Sequence, residues 1–161
     1  MNDNNTEAGL SANNIYRETT VSPEFIYLDK LIKYRLAPYF PSDVQVEEPL
    51  LPDLNNWHAP LANFINNNKL NCGESVLLLI VLAPYLYPDL FDQAIESRLN
   101  DAGNFPKIGG VRGKNSRAFL PTGETVLFLL AGYDMQTRLE VQQLFGAEHL
   151  FGRKKILWLE E

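Results

Sequence analysis

Two segments of this chain share a pattern that few folds accommodate. KLNCGESVLLL, from Lys69, and FLPTGETVLFL, from Phe119, coincide without gaps at Leu, Gly, Glu, Val, Leu and Leu, and Ser75/Thr125 and Leu78/Phe128 are conservative pairs. In each, a polar start gives way to a run that is apolar all round, so the helix it forms is buried on most sides. Asn71 followed by Glu74 has the form of a capping box. In the second segment Thr122 or the Gly123 backbone can cap the helix, and Glu124 suits its positive end. Each run leads through a turn into a second segment of helical period. After the turn bracketed by Pro84 and Pro88, Asp89 caps a helix with Leu90, Phe91, Ala94 and Ile95 inward and Asp92, Gln93, Glu96, Ser97 and Arg98 outward. After Gly132, Asp134 starts a helix with Leu139, Val141, Leu144 and Phe145 apolar, and Gly146 stops it. Two copies of extended link, buried helix, turn and second helix are the core of a winged-helix or helix-turn-helix unit. Chance similarity between two capped apolar helices explains the coincidence equally well.

The rest of the chain supplies one more long helix. Ser22-Pro23-Glu24 is a start signal, with a cap, a proline in the first turn and an acid near the positive end. Phe25, Leu28, Ile32 and Leu36 recur at helical spacing beside Ile26 and Leu31, while Lys30, Lys33 and Arg35 fall away from that stripe, and Pro38 ends it. Residues 41–56 carry Pro41, Pro49 and Pro52 among acids and read as an extended connection, with Val44–Val46 a short edge strand at most. Trp57–Asn67 reads as a short helix with Leu61, Phe64 and Ile65 on one side, and Lys69-Leu70-Asn71 as a brief extended link. Lys154–Leu159 is the best strand candidate. Residues 1–20, rich in Asn, Thr, Ser and Glu, lack any hydrophobic period and are expected to be a disordered tail.

The fold class expected is therefore mainly α with a small β-sheet: roughly five to seven helices in one domain over 21–161, with half-units at 57–104 and 117–161 if the duplication is real. The sheet is expected from the Lys69, Arg117–Leu120 and Lys155–Leu159 regions, in a winged-helix-like arrangement, either single or tandem. Cys72 is the lone cysteine, which excludes an intramolecular disulfide and a cysteine-based zinc site and fits a reducing, cytoplasmic setting. The longest apolar run, Val76–Ala83, falls far short of the roughly 20 residues a membrane span needs. A net charge of −6 argues against sequence-independent nucleic-acid binding, which rests on phosphate neutralisation.

Against that acidic background one loop is cationic. Between Phe105 and Leu120, Lys107, Arg112, Lys114 and Arg117 occur with no acid among them and with Gly109, Gly110 and Gly113 interleaved. Two readings compete. The loop contacts phosphate or an acidic protein surface, its glycines allowing close backbone approach; or it is a solvated wing whose glycines only serve its turns. A Walker A loop is rejected, because its first glycine would fall at Ile108 and the residue after the lysine is Asn115 rather than Ser or Thr. No hydrophobic run ends in the paired acids of a Walker B motif. The chain is thus not expected to hydrolyse ATP. His58 and His149 stand far apart in sequence without a ligand-spaced Cys or acid, Glu47-Glu48 and Glu160-Glu161 sit in linkers or at the end, and Tyr85, Tyr87 and Tyr133 flank helix turns as core or rim residues. No convergent titratable cluster supports a small enzyme.

GGVRGKNSRAFLPTGETVLFLLAGYDMQTR, with ESVLLLIVLAPYLYPDLFD upstream and HLFGRKKILWLEE downstream, resembles the N-terminal region of a group of bacterial AAA+ ATPases, several of them associated with phage-tail-like contractile injection systems. The resemblance runs from about Tyr34 to Glu161, and FLPTGET and GG-x-x-GK are its specific parts. It implies a variant winged-helix domain lying ahead of an ATPase module. Such a domain recognises a partner or substrate, or packs against the module in cis. It implies no cofactor in this chain, ATP and magnesium being needed only by the parent's ATPase module; that no membrane is a partner is expected from the short apolar run instead. Lys107, Gly109, Gly110, Arg112, Gly113, Lys114 and Arg117 become the partner-binding candidates. The chain stops where the module would follow, as an excised domain or a free-standing relative would. The alternative is a DNA-binding winged-helix regulator. Its second helices would be poor groove readers, with Asp89, Asp92 and Glu96 against Arg98 in one and Asp134 and Glu140 against Arg138 in the other.

Overall fold

The computed structural model describes residues 21–40, 44–97, 106–112 and 118–159. The expected tail (1–20), Arg98, Gly113, Lys114, Arg117 and Glu160-Glu161 lie outside the described residues. The first helix, α1 (Pro23–Leu36), buries Phe25, Leu28, Leu31, Ile32 and Leu36, the stripe its sequence repeats. It packs against three other helices: α3 (Cys72–Leu86), α4 (Leu90–Glu96) and α5 (Gly123–Ala131). The short α2 (Ala59–Asn68) buries Ala62 and Ile65. The chain closes with α6 (Met135–Gln142), which packs on α5, and α7 (Leu150–Arg153). The buried side chains of all these segments form one cluster, so the molecule has one core and not two.

The two related segments bury equivalent positions. Ser75, Val76, Leu77, Leu78 and Leu79 of α3 are buried, and so are Thr125, Val126, Leu127, Phe128 and Leu129 at the equivalent positions of α5. Three residues, Tyr87–Asp89, connect α3 to α4, and three, Gly132–Asp134, connect α5 to α6. The α3–α4 pair bends by 100°, within the range of a helix-turn-helix corner. Among the described residues no single helix is long and apolar enough to cross a membrane.

The architecture is mainly helical with a small sheet, as expected, but the sheet is built differently. Its strands are β1 (Val111–Arg112) and β2 (Phe119–Leu120), antiparallel, with Val111 opposite Leu120 and Arg112 opposite Phe119. Lys69 and Lys155, expected in strands, both adopt left-handed backbone, at φ 54° and 52°. Each ends a helix. Leu70 donates its N–H to Ile65 O and Ile156 donates to Phe151 O, the closing bonds of Schellman-type C-caps. Such a turn cannot continue into a strand, and Lys155–Leu159 accordingly forms none. Val44–Val46 is likewise not a strand. Pro84 does not bracket a turn: it lies inside α3, which runs on to Leu86 at the cost of the bond Ile80 O would have accepted. Of the apolar residues of α6, Val141 is buried and Leu139 is half exposed.

Candidate functional site

The cationic loop begins as a 3-10 turn, Pro106–Ile108, held by the buried Ile108. Gly109 and Gly110 follow at φ +67° and +87°, backbone that only glycine adopts freely. A Cβ on Gly110 would lie 2.2 Å from the Phe119 ring, and one on Gly109 would lie 2.9 Å from Thr122 Oγ1. The Gly110 N–H donates to that same hydroxyl at 3.1 Å. Thr122 is the N-cap position of α5, so the hairpin is fastened to the start of a buried helix. Phe119 in turn stacks on Phe91 of α4 at 4.8 Å between ring centres.

The described cations of the loop are engaged within the molecule. Arg112 pairs with Asp92 of α4 at 2.6 Å. Lys107 places Nζ 4.4 Å above the Tyr39 ring and 5.8 Å from that of Tyr133, a shared cation–π contact. Burial, with a hydrogen bond to Tyr133 adding to it, pushes the Tyr39 phenol up to about 12. Gly109 and Gly110 therefore serve the turn and the packing beneath it. Gly113, Lys114 and Arg117 lie outside the described residues, so the seven candidates are not seen together.

Several side chains whose partners are remote in sequence hold the helices in place. Arg35 of α1 donates from Nε to Leu129 O (2.9 Å) and from Nη2 to Leu130 O (3.2 Å), satisfying carbonyls at the C-terminal end of α5. Arg138 of α6 donates to both carboxylate oxygens of Glu124 at 2.8 and 2.7 Å and to Gly132 O at 2.8 Å. His149 does find an acid: its Nε2 lies 2.7 Å from Glu74 Oε1. Its Nδ1 accepts from the Phe151 N–H, so the ring proton sits on Nε2 and points at the carboxylate. Glu74 also accepts the Asn71 N–H, completing the capping box of α3. This pair links the N-termini of α3 and α7. Among the described residues no group of three or more His, Cys, Asp or Glu side chains could hold a metal.

A second feature escaped the sequence reading altogether. The start of α1, the first turns of α2 and the outer side of α3 enclose an open groove of about 610 Å³. Its walls include Leu61, Phe64, Leu82, Leu86 and Ile156, none of them fully buried. Glu24 lines it too, yet is wholly buried. One carboxylate oxygen, Oε1, accepts the His58 N–H at 3.0 Å; the other, Oε2, has no hydrogen-bond partner among the described residues. In sequence Glu24 is only an acid in a first helical turn. What distinguishes it is the folding of α2 across it, which no local pattern announces. No protein-family model, curated protein or solved structure matches this chain.

Proposed function

We propose that this chain is a non-catalytic, cytoplasmic recognition domain of the kind found ahead of the ATPase module in bacterial AAA+ proteins, including those of contractile injection systems, and that it engages a protein rather than a nucleic acid. The observation behind this reading is a contrast in surface chemistry. The described cations of the basic loop are spent on Asp92 and on Tyr39 and Tyr133, whereas a mostly apolar groove stays open beside α2. Protein partners are held by apolar anchors in such concavities; phosphate backbones need free cations. ATP and magnesium belong to the parent's module in this reading, and the ordering of hairpin, buried helix and second helix agrees with a winged-helix ancestry.

One observation favours the alternative of a DNA-binding regulator: the 100° corner between α3 and α4. Yet α4 carries Asp92 and Glu96 in its seven residues and no cation, so it would meet phosphate with like charge. Two measurements separate the readings. Chemical cross-linking of the full chain in its native cell, followed by mass spectrometry, is expected to recover an AAA+ ATPase subunit, or the polypeptide that ATPase acts on. Mobility-shift titration with duplex DNA at physiological salt is expected to show no complex. A salt-dependent shift together with no cross-linked ATPase would transfer the assignment to the regulator.

A further inference from the structure

We infer that the Tyr39 and Tyr133 rings form a cation site for a quaternary methylammonium group, a site that Lys107 of the basic loop fills from within the same chain until such a group displaces it. This site lies outside the protein-recognition reading above and stands without it. Three separate stretches bring it together. Tyr39 ends the 3-10 turn Ala37–Tyr39 after α1, Tyr133 lies in the turn between α5 and α6, and Lys107 lies in the turn that opens the loop. The two rings stand 6.2 Å apart between centroids and meet at 72°, so they make two walls of a corner. Tyr39 leans on Phe128 of the core at 6.2 Å, and its hydrogen bond to Tyr133 ties the walls together. Tyr133 is 60% exposed, so the corner opens to solvent. An ammonium already sits in it. Lys107 Nζ is 4.4 Å from one centroid and 5.8 Å from the other, both within the ~6 Å reach of a cation–π contact.

The kind of cation follows from what surrounds the amine. Among the described residues Lys107 has no ion pair, so ring faces and not a carboxylate hold it. A primary ammonium on such walls gives up water on the side facing the rings, and its N–H donors gain no acceptor in return. A trimethylammonium has no N–H to satisfy and covers the rings with methyl groups while keeping its charge, the chemistry that aromatic walls suit. Lys107 is exposed, and a cation–π contact at an exposed site is weak enough to be displaced. Helix α5 ends at Ala131, so its negative end lies beside Tyr133 and favours a cation there. Its last carbonyls are not the ligands, because Arg35 takes those of Leu129 and Leu130 and Arg138 takes that of Gly132. The ring faces are what remain. Filling the corner would release Lys107 and give the loop a cation that the free domain keeps engaged.

The test follows the aromatic resonances of the full chain while choline is added. The Tyr39 and Tyr133 rings are expected to shift with a Kd of about 1–30 mM, as two ring faces allow. The Lys107 ε-methylene protons, shielded by the rings in the free protein, should return towards their ordinary position as the amine is displaced. The neutral tert-butyl isostere of choline should bind at least about tenfold more weakly, because it keeps the shape and loses the charge. Lys107→Ala should tighten choline about 3–6-fold by removing the internal competitor. Tyr133→Leu, a change at an exposed position, should abolish the response and leave the circular dichroism unaltered. A peptide carrying trimethyllysine separates the two sources of the group: tighter binding than choline assigns a protein side chain, and equal or weaker binding assigns a free quaternary amine. The same peptide with unmodified lysine should bind at least about tenfold more weakly than the trimethylated one. No ring shift up to about 100 mM choline in either the unaltered protein or Lys107→Ala would overturn the inference. So would an isostere or an unmodified peptide that binds as well, or a Lys107→Ala affinity equal to that of the unaltered protein.

Discussion

Gly110 and Lys155 present opposite mismatches between residue and backbone. Gly110 sits at φ +87° with the Phe119 ring where a Cβ would be, so Gly110→Ala combines left-handed strain with overpacking. The expected loss is about 2–4 kcal/mol, read from urea unfolding. Lys155 sits at φ 52° without needing a side chain for the turn itself, so Lys155→Gly should gain about 0.5–1 kcal/mol. A neutral Gly110→Ala would mean that the turn is not built this way. Tyr39 gives a prediction in pH. Its phenol is pushed up from 10 to about 12, so the folded state holds that proton more tightly than the unfolded chain does. The stability this contributes is fully present below pH 10 and is lost as pH rises from 10 through about 12. Ultraviolet titration of the folded protein should show a late-ionising tyrosine, and Tyr39→Phe should remove it along with that part of the alkaline destabilisation. A titration unaltered by Tyr39→Phe would assign the late proton elsewhere.

At the level of elements, the two related helices show how a shared sequence can be put to different use. In α3 the N-cap is Asn71 and its reciprocal partner is Glu74. In α5 the cap position is Thr122, one place later in the alignment, and the Thr122 N–H donates to Thr125. Glu124, the counterpart of Glu74, is thereby free to take Arg138, while Glu74 takes His149. Arg138→Ala should cost about 1 kcal/mol, a modest figure because Glu124 is well exposed, and should speed amide exchange in α6 more than in α4. Equal effects on both helices would deny Arg138 its role as the α5–α6 tie. The same comparison shows what the sequence could reveal. Apolar periodicity located every main helix, because burial of a stripe is a local requirement. It placed one strand, β2 within Arg117–Leu120, but not the rest of the sheet, since the left-handed turns at Lys69 and Lys155 are decided by capping bonds from Leu70 and Ile156. Nor could it value the basic loop, because Asp92 and Tyr39 reach Arg112 and Lys107 only after α4 and the 3-10 turn Ala37–Tyr39 that follows α1 have packed.

Taken as a whole, the molecule has an internal likeness that invites division into the half-units 57–104 and 117–161, but the packing does not allow them separate stability. Helix α1 lies outside both halves and packs against α3 and α4 of one and α5 of the other. Leu28, Ile32 and Leu36 are wholly buried in the common core. Arg35 caps α5 from α1, and His149 near the end of the chain closes onto Glu74 at the start of α3. Without α1 each half would expose the apolar side of a helix that is hydrophobic all round. Unfolding should therefore be a single transition. Fluorescence of the buried Trp57 and a fluorine label at Phe128 should give the same midpoint in urea. Leu28→Ala should lower both midpoints together, by about 2–5 kcal/mol of stability. Fragments spanning 57–104 and 117–161 should each lack a cooperative transition by circular dichroism. Separate midpoints, or one fragment that folds alone, would make α1 an ornament on two autonomous units. Coincident midpoints would mean that the hairpin on α5 and the groove beside α2 are carried on one body, so that a partner seated in the groove acts on the same cooperative unit that holds the basic loop.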